Sequence, residues 1–151
     1  MALPWKGKRP EASLLHRDLG LFPFHVPGCG LLSTWFQFEG FTLPFAILYE
    51  EEIPARATVR HEMIHYAQFR ETGYVLMPVL YLLCWFLFTI IFCIRDRIDF
   101  QDALERAYKT NPFEKEAYFG EGKRGYLDNR CRFAWWKFVQ WPRRTNATST
   151  T

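Results

Sequence analysis

No two of the four cysteines, Cys29, Cys84, Cys93 and Cys131, stand in a CxxC spacing, and two of them lie inside an apolar run where cysteine acts as a small hydrophobe. That pattern argues against a disulfide framework and for a reduced, cytoplasm-facing protein. The first twenty residues carry basic side chains but no apolar core leading to a small-residue cleavage site, so no signal peptide is expected. The sequon at Asn146, Ala147 and Thr148 then carries little weight. There is no internal repeat, and no zinc knuckle, helix-turn-helix signature or RNP motif accompanies the basic residues, so nucleic acid is not the expected partner. At 151 residues the chain is too short for a catalytic domain plus a separate binding domain. One domain is expected over residues 1–144, with a disordered tail at 145–151.

Aromatic residues, by contrast, are abundant: they make up 19% of the chain, against an ordinary charged fraction of 23%. The mixture suits an apolar/aqueous boundary. Net charge is only +3, but Lys and Arg gather at the ends: Lys6, Lys8 and Arg9 in front, and Lys123, Arg124, Arg130, Arg132, Lys137, Arg143 and Arg144 behind. Such clusters are attracted to anionic lipid headgroups. From Tyr74 to Ile94 the sequence YVLMPVLYLLCWFLFTIIFCI has no charged residue and is near the length a helix needs to cross a bilayer. Pro78, in its first turns, would kink such a helix without forbidding it.

Residues 31–38 (LLSTWFQF) and 41–49 (FTLPFAILY) are β-branched and aromatic on either side of Glu39-Gly40, which predicts a hairpin. Pro44 removes a backbone donor, so the second strand should lie at a sheet edge or be interrupted there. Pro54 and Gly73 bracket PARATVRHEMIHYAQFRET as one helix. IDFQDALERAYK has mixed helical character, and TNPFEKEAY restarts a helix with Asn111 as cap, Pro112 at the first position and Glu114 at the third. YLDNRCRFAWWKFVQW sets aromatics among Arg and Lys, as in an interfacial helix.

HEMIH carries the chemistry. Residues four apart on a helix share a face, so His61 and His65 can direct imidazole nitrogens at one metal ion. Glu62 is rotated by about 100° and can instead take the proton of a water that a zinc ion would acidify. A third protein ligand is required. Glu71 falls six residues after His65, where HExxHxxGxxH puts its last ligand, but the position of the turning glycine is Gln68, and on a continuous helix Glu71 faces away. Glu114 and Glu116 lie on a separate predicted helix and point to different sides of it. Gln68 shares the face of His65 and can steady the site by hydrogen bonding. His16 and His25 stand alone and read as surface or packing residues.

The order of FTLPFAILY, HEMIHYAQ, a long aromatic-aliphatic segment, ALERAYKTNPFEKEAY and YLDNRCRFAWWKFV resembles a group of small bacterial proteins regarded as membrane-associated zinc peptidases of gluzincin type. The resemblance covers roughly residues 40 to 140, and its specific part is HExxH with the FExEAY box. It implies Zn2+ held by His61, His65 and Glu116, with Glu62 as catalytic base; Glu114, on a different side of its helix, is then read as a cap or supporting group. It does not supply a substrate; the leading functional reading is hydrolysis of a peptide or protein substrate presented along the strand FTLPFAILY, at the cytoplasmic face of a bacterial inner membrane. Tyr118 and Tyr126 are candidate oxyanion stabilisers by proximity in sequence. The expected fold is α+β and mostly helical: a short hairpin, a zincin-like helix pair and the long apolar segment. A non-catalytic membrane-surface protein with structural zinc, or a zinc hydrolase of a non-peptide amide, are the alternatives.

One ion held by His61, His65 and Glu116 constrains residues 74–94. A single crossing would carry Ile94 about 30 Å away, and a return through IRDRIDFQDALERAYK would take charges into lipid. The segment is therefore expected to form a re-entrant hairpin or to lie in the interface, with burial between protein elements as the third arrangement.

Overall fold

The structure, a computed structural model, describes residues 23–29 and 39–140. The expected strand at 31–38, His16, Trp141 and the tail at 145–151 lie outside those residues. The fold is α+β and mostly helical, as the sequence predicts. By contact the chain divides into two compact units: Met1–Tyr66 with Gly120–Arg130, and Ala67–Phe119 with Cys131–Thr151.

In the first unit, β1 (Phe24–Val26) pairs parallel with β3 (Ala46–Tyr49), and β3 pairs antiparallel with β2 (Gly40–Thr42), giving the order β1-β3-β2. Pro44 interrupts the strand predicted at 41–49: it sits in the turn between β2 and β3, where Leu43 N donates to Ala46 O at 2.7 Å. A proline has no N–H for a ladder, and the described hairpin turns around it, while the first strand of the hairpin predicted at Glu39-Gly40 lies outside the described residues. Ile47 and Tyr49 alternate inward and are fully buried against Met63 and Tyr66 of helix α1 (Arg56–Thr72), with Val59 and Leu127 beside them. Burial of each such side chain contributes about 1.5–3 kcal/mol. The 120–130 segment packs here through Leu127, and Gly120 is required by close approach: a Cβ there would stand 2.5 Å from Ile64 Cδ1 and from Tyr126 Cδ1.

In the second unit α1 ends as the sequence predicts. Gly73 has φ +91°, a conformation that favours glycine, and its N–H donates to Phe69 O at 2.8 Å. Helix α2 (Leu76–Ile91) continues through one π turn (Phe92–Asp96) and stops at Arg97 in the left-handed region. This stretch of 21 residues, mean hydropathy 2.4, is the one helix among the described residues long and apolar enough to cross a membrane, and only 22% of its apolar window is buried. Helix α3 (Phe100–Thr110), capped by Asp99 Oδ1 accepting from Gln101 N and Asp102 N, then runs back along α2. Phe88 and Phe92 pack on Ala103 and Ala107, Trp85 Nε1 donates to Leu104 O at 2.9 Å, and Asn111 Nδ2 donates to Tyr81 O at 3.1 Å.

Helix α4 (Pro112–Glu121) starts as predicted: Asn111 Oδ1 accepts from Phe113 N at 3.2 Å, with Pro112 at the first position. After residue 121 the expected interfacial helix does not form. The chain makes turns and one short 3-10 helix (Ala134–Phe138), because Phe133 at φ +56° cannot continue an α-helix. Trp135 is buried among Phe69, Met77 and Phe113, while its neighbour Trp136 is 67% exposed.

Candidate metal centre

α1 brings both histidines of HEMIH inward, one turn apart and buried. Their Nε2 atoms are 3.1 Å from each other. Two nitrogens bound to one zinc ion at 2.0–2.1 Å in tetrahedral geometry stand about 3.3 Å apart, so the pair has the spacing of a metal bite. Tautomer is also set for it. His61 Nδ1 is 2.9 Å from Glu121 Oε2, and a carboxylate there accepts the Nδ1 proton, which leaves the Nε2 lone pair directed at His65. Arg60, one residue earlier, donates to the Glu121 backbone carbonyl and holds the end of α4 in place.

Glu62 is held by strand β2. Its Oε2 accepts from Thr42 Oγ1 at 2.6 Å, and the same hydroxyl is 3.0 Å from the Glu62 carbonyl. Oε1 lies against β2, only 2.7 Å from where a Cβ on Gly40 would be. Strand β2 thus fixes the glutamate in one rotamer, and glycine at position 40 makes room for it. Glu62 is 5% exposed, and its charge helps burial to raise the phenol pKa of Tyr49, the β3 partner of Gly40.

The carboxylate that the structure groups with the two histidines is Glu114, where the sequence expectation was Glu116. Among the described residues, the group whose donor atoms all lie within 4.8 Å of one another is His61, His65 and Glu114, and each of the three is buried. A buried His-His-Glu group of this kind can bind a metal ion. Glu116 is fully buried: its Oε2 accepts from Gln68 Nε2 at 2.9 Å, and Gln68 Nε2 is also 3.1 Å from Phe113 O. Residues two apart on a helix point about 200° apart, so the rotation of α4 that gives Glu116 to Gln68 turns Glu114 to another side. Glu114 Oε1 accepts from Tyr81 Oη at 2.8 Å, so its carboxylate is oriented by a side chain from α2 and not used in a capping box. Glu71 is engaged away from the histidines, its Oε2 accepting from Phe133 N at 2.8 Å.

Sequence reasoning missed Glu121 and Thr42. Glu121 lies seven residues after Glu114, two helical turns, and that spacing is a readable sign that the two share a face. Thr42 carries no comparable signal, since its role depends on which way the hairpin folds. Of the two tyrosines suggested near the site, Tyr118 is 48% exposed and stands 3.5 Å from Tyr108 Oη, while Tyr126 packs over Gly120. No family model matches the chain, and neither a curated protein nor a solved structure does.

Proposed function

We propose that the chain is a membrane-associated zinc metallopeptidase of gluzincin character, in which His61, His65 and Glu114 hold the ion and Glu62 is the general base. The observation that carries this reading is the converged pair of Nε2 atoms with the outer nitrogen of His61 held by a carboxylate. That arrangement is the usual support of a metal-binding histidine, and it has no evident use in a helix that merely packs. The donor set of two imidazoles and one carboxylate fits zinc and leaves a position open for water or substrate.

When bound, zinc supplies a Lewis acid for a carbonyl and lowers the pKa of a water. With the ion bound, Glu62 would act as the base for that water, and the contacts of its carboxylate with the Thr42 hydroxyl and with Gly40 would fix its position. Glu121 keeps His61 in the tautomer that binds through Nε2. Among the described residues β2 is an edge strand, so an extended peptide can pair along Gly40–Thr42, a shorter segment than the predicted FTLPFAILY because β3 lies inside the sheet. The resemblance noted in the sequence adds the cytoplasmic face of a bacterial inner membrane as the location.

The burial of the ligands, 8%, 7% and 4% exposed for His61, His65 and Glu114, favours a second reading in which the zinc is structural. Glu62→Gln separates the two. The proposal expects it to retain zinc and to lose hydrolysis of a fluorogenic peptide library; joint loss of metal and fold would establish the structural role instead. Wild-type turnover of small amides with none of peptides would favour the non-peptide hydrolase.

A further inference from the structure

We infer that α2 does not cross the bilayer: its outer face lies in one anionic leaflet, with the α2–α3 hairpin parallel to the membrane plane. This rests on the membrane-associated part of the reading above and on nothing in its catalytic part. Val79, Leu82, Leu83, Phe86, Leu87 and Ile90 recur at i, i+3, i+4, i+7, i+8 and i+11, a single stripe along three turns, each side chain between 44% and 60% exposed. No polar side chain interrupts the stripe. A surface of this length and purity does not belong in water.

The opposite face of α2 is closed to lipid. Met77, Phe88 and Phe92 are buried, and α3 lies antiparallel against it from the π turn back to Tyr81. α3 exposes Gln101, Asp102, Glu105 and Lys109, the last two joined in an exposed ion pair. A crossing α2 would draw these charges into hydrocarbon, where each is costly. With the hairpin lying flat, the stripe enters the acyl region while the charges of α3 remain in water, so both faces meet a suitable solvent.

Charge selects an anionic leaflet as the occupant. Exposed Arg97 terminates the helix at one end. At the other, Trp135 packs on Met77 in the first turn of α2 and presents exposed Phe133, Trp136 and Lys137. Cations and amphipathic aromatics at both ends of an apolar stripe are the composition of a helix seated at headgroup level.

The test uses the full chain with sealed vesicles of phosphatidylcholine containing phosphatidylglycerol. Wild type is expected to float with these vesicles, more weakly with phosphatidylcholine alone, and Leu83→Glu/Leu87→Glu to lose at least about tenfold in partitioning while keeping its circular dichroism. Sidedness follows from a membrane-impermeant maleimide added outside, with labelled sites identified by mass spectrometry. Native Cys131, near the start of α2, and Gln101→Cys, at the far end of the hairpin, should both react. Protection of one of the two would show a crossing and overturn the inference. So would failure of wild type to bind vesicles, or a detergent-free dimer that the double substitution dissolves. None of these readouts needs metal or turnover, so their failure is distinct from failure of the peptidase reading.

Discussion

A neutral imidazole can bind a metal through either nitrogen, and at His61 the Glu121 carboxylate favours Nε2, since its Oε2 can accept a hydrogen bond from Nδ1–H. Glu121→Ala removes that carboxylate but leaves the backbone carbonyl that Arg60 uses. Zinc affinity measured by chelator competition is expected to fall about 10–100-fold; an unchanged affinity would mean that the carboxylate does not set the tautomer. His25 has a different role. It stacks on Tyr49 with ring centroids 5.7 Å apart, and its Nδ1 is 2.8 Å from Tyr49 Oη, which is the packing alternative of the surface-or-packing expectation. Burial lowers its pKa below the ordinary 6.5. Above 6.5 the ring is neutral whether folded or not; as pH falls below it, the unfolded chain takes a proton that the folded chain refuses, and stability is lost. Denaturant midpoints should therefore drop more steeply between neutral and mildly acid pH for wild type than for His25→Gln. Parallel curves would contradict this assignment.

At the scale of elements, the helices were legible and the sheet was less so. Pro54 and Gly73 bracket α1, and Asn111 with Pro112 starts α4, by backbone chemistry that acts locally, which is why these limits could be read directly. β1 is three residues long and is defined by pairing with β3, a partner more than twenty residues away, so nothing local announces it. The same reason hid the rotation of α4. HExxH could be read because both histidines lie on one helix, whereas the choice between Glu114 and Glu116 depends on Gln68 reaching across to Phe113 and Glu116. Strand β2 links the sheet to the chemistry. Gly40→Ala would place a methyl group 2.7 Å from Glu62 Oε1 and force the carboxylate to move. A displacement of that order can cost about 10²-fold in rate. We expect peptide hydrolysis to fall by roughly that factor with zinc content unchanged, and wild-type activity in this variant would remove β2 from the positioning of Glu62.

For the molecule as a whole, hydropathy alone describes residues 76–96 as a membrane span, and the return of α3 along that helix is what changes its meaning. The sequence already posed the problem, because charges in IRDRIDFQDALERAYK made a second crossing costly; the antiparallel packing on Phe88 and Phe92 is a long-range fact that no window of residues contains. The same division holds for the site: the pairing of His61 with His65 could be read from spacing, and the placement of Glu114 beside them only from tertiary contacts. The most direct test is therefore metal analysis of the purified wild type beside His65→Ala, Glu114→Ala and Glu116→Ala. The account expects one zinc per wild-type chain, loss from His65→Ala and Glu114→Ala, and retention by Glu116→Ala. A wild type without zinc, or loss from Glu116→Ala with retention by Glu114→Ala, would contradict it.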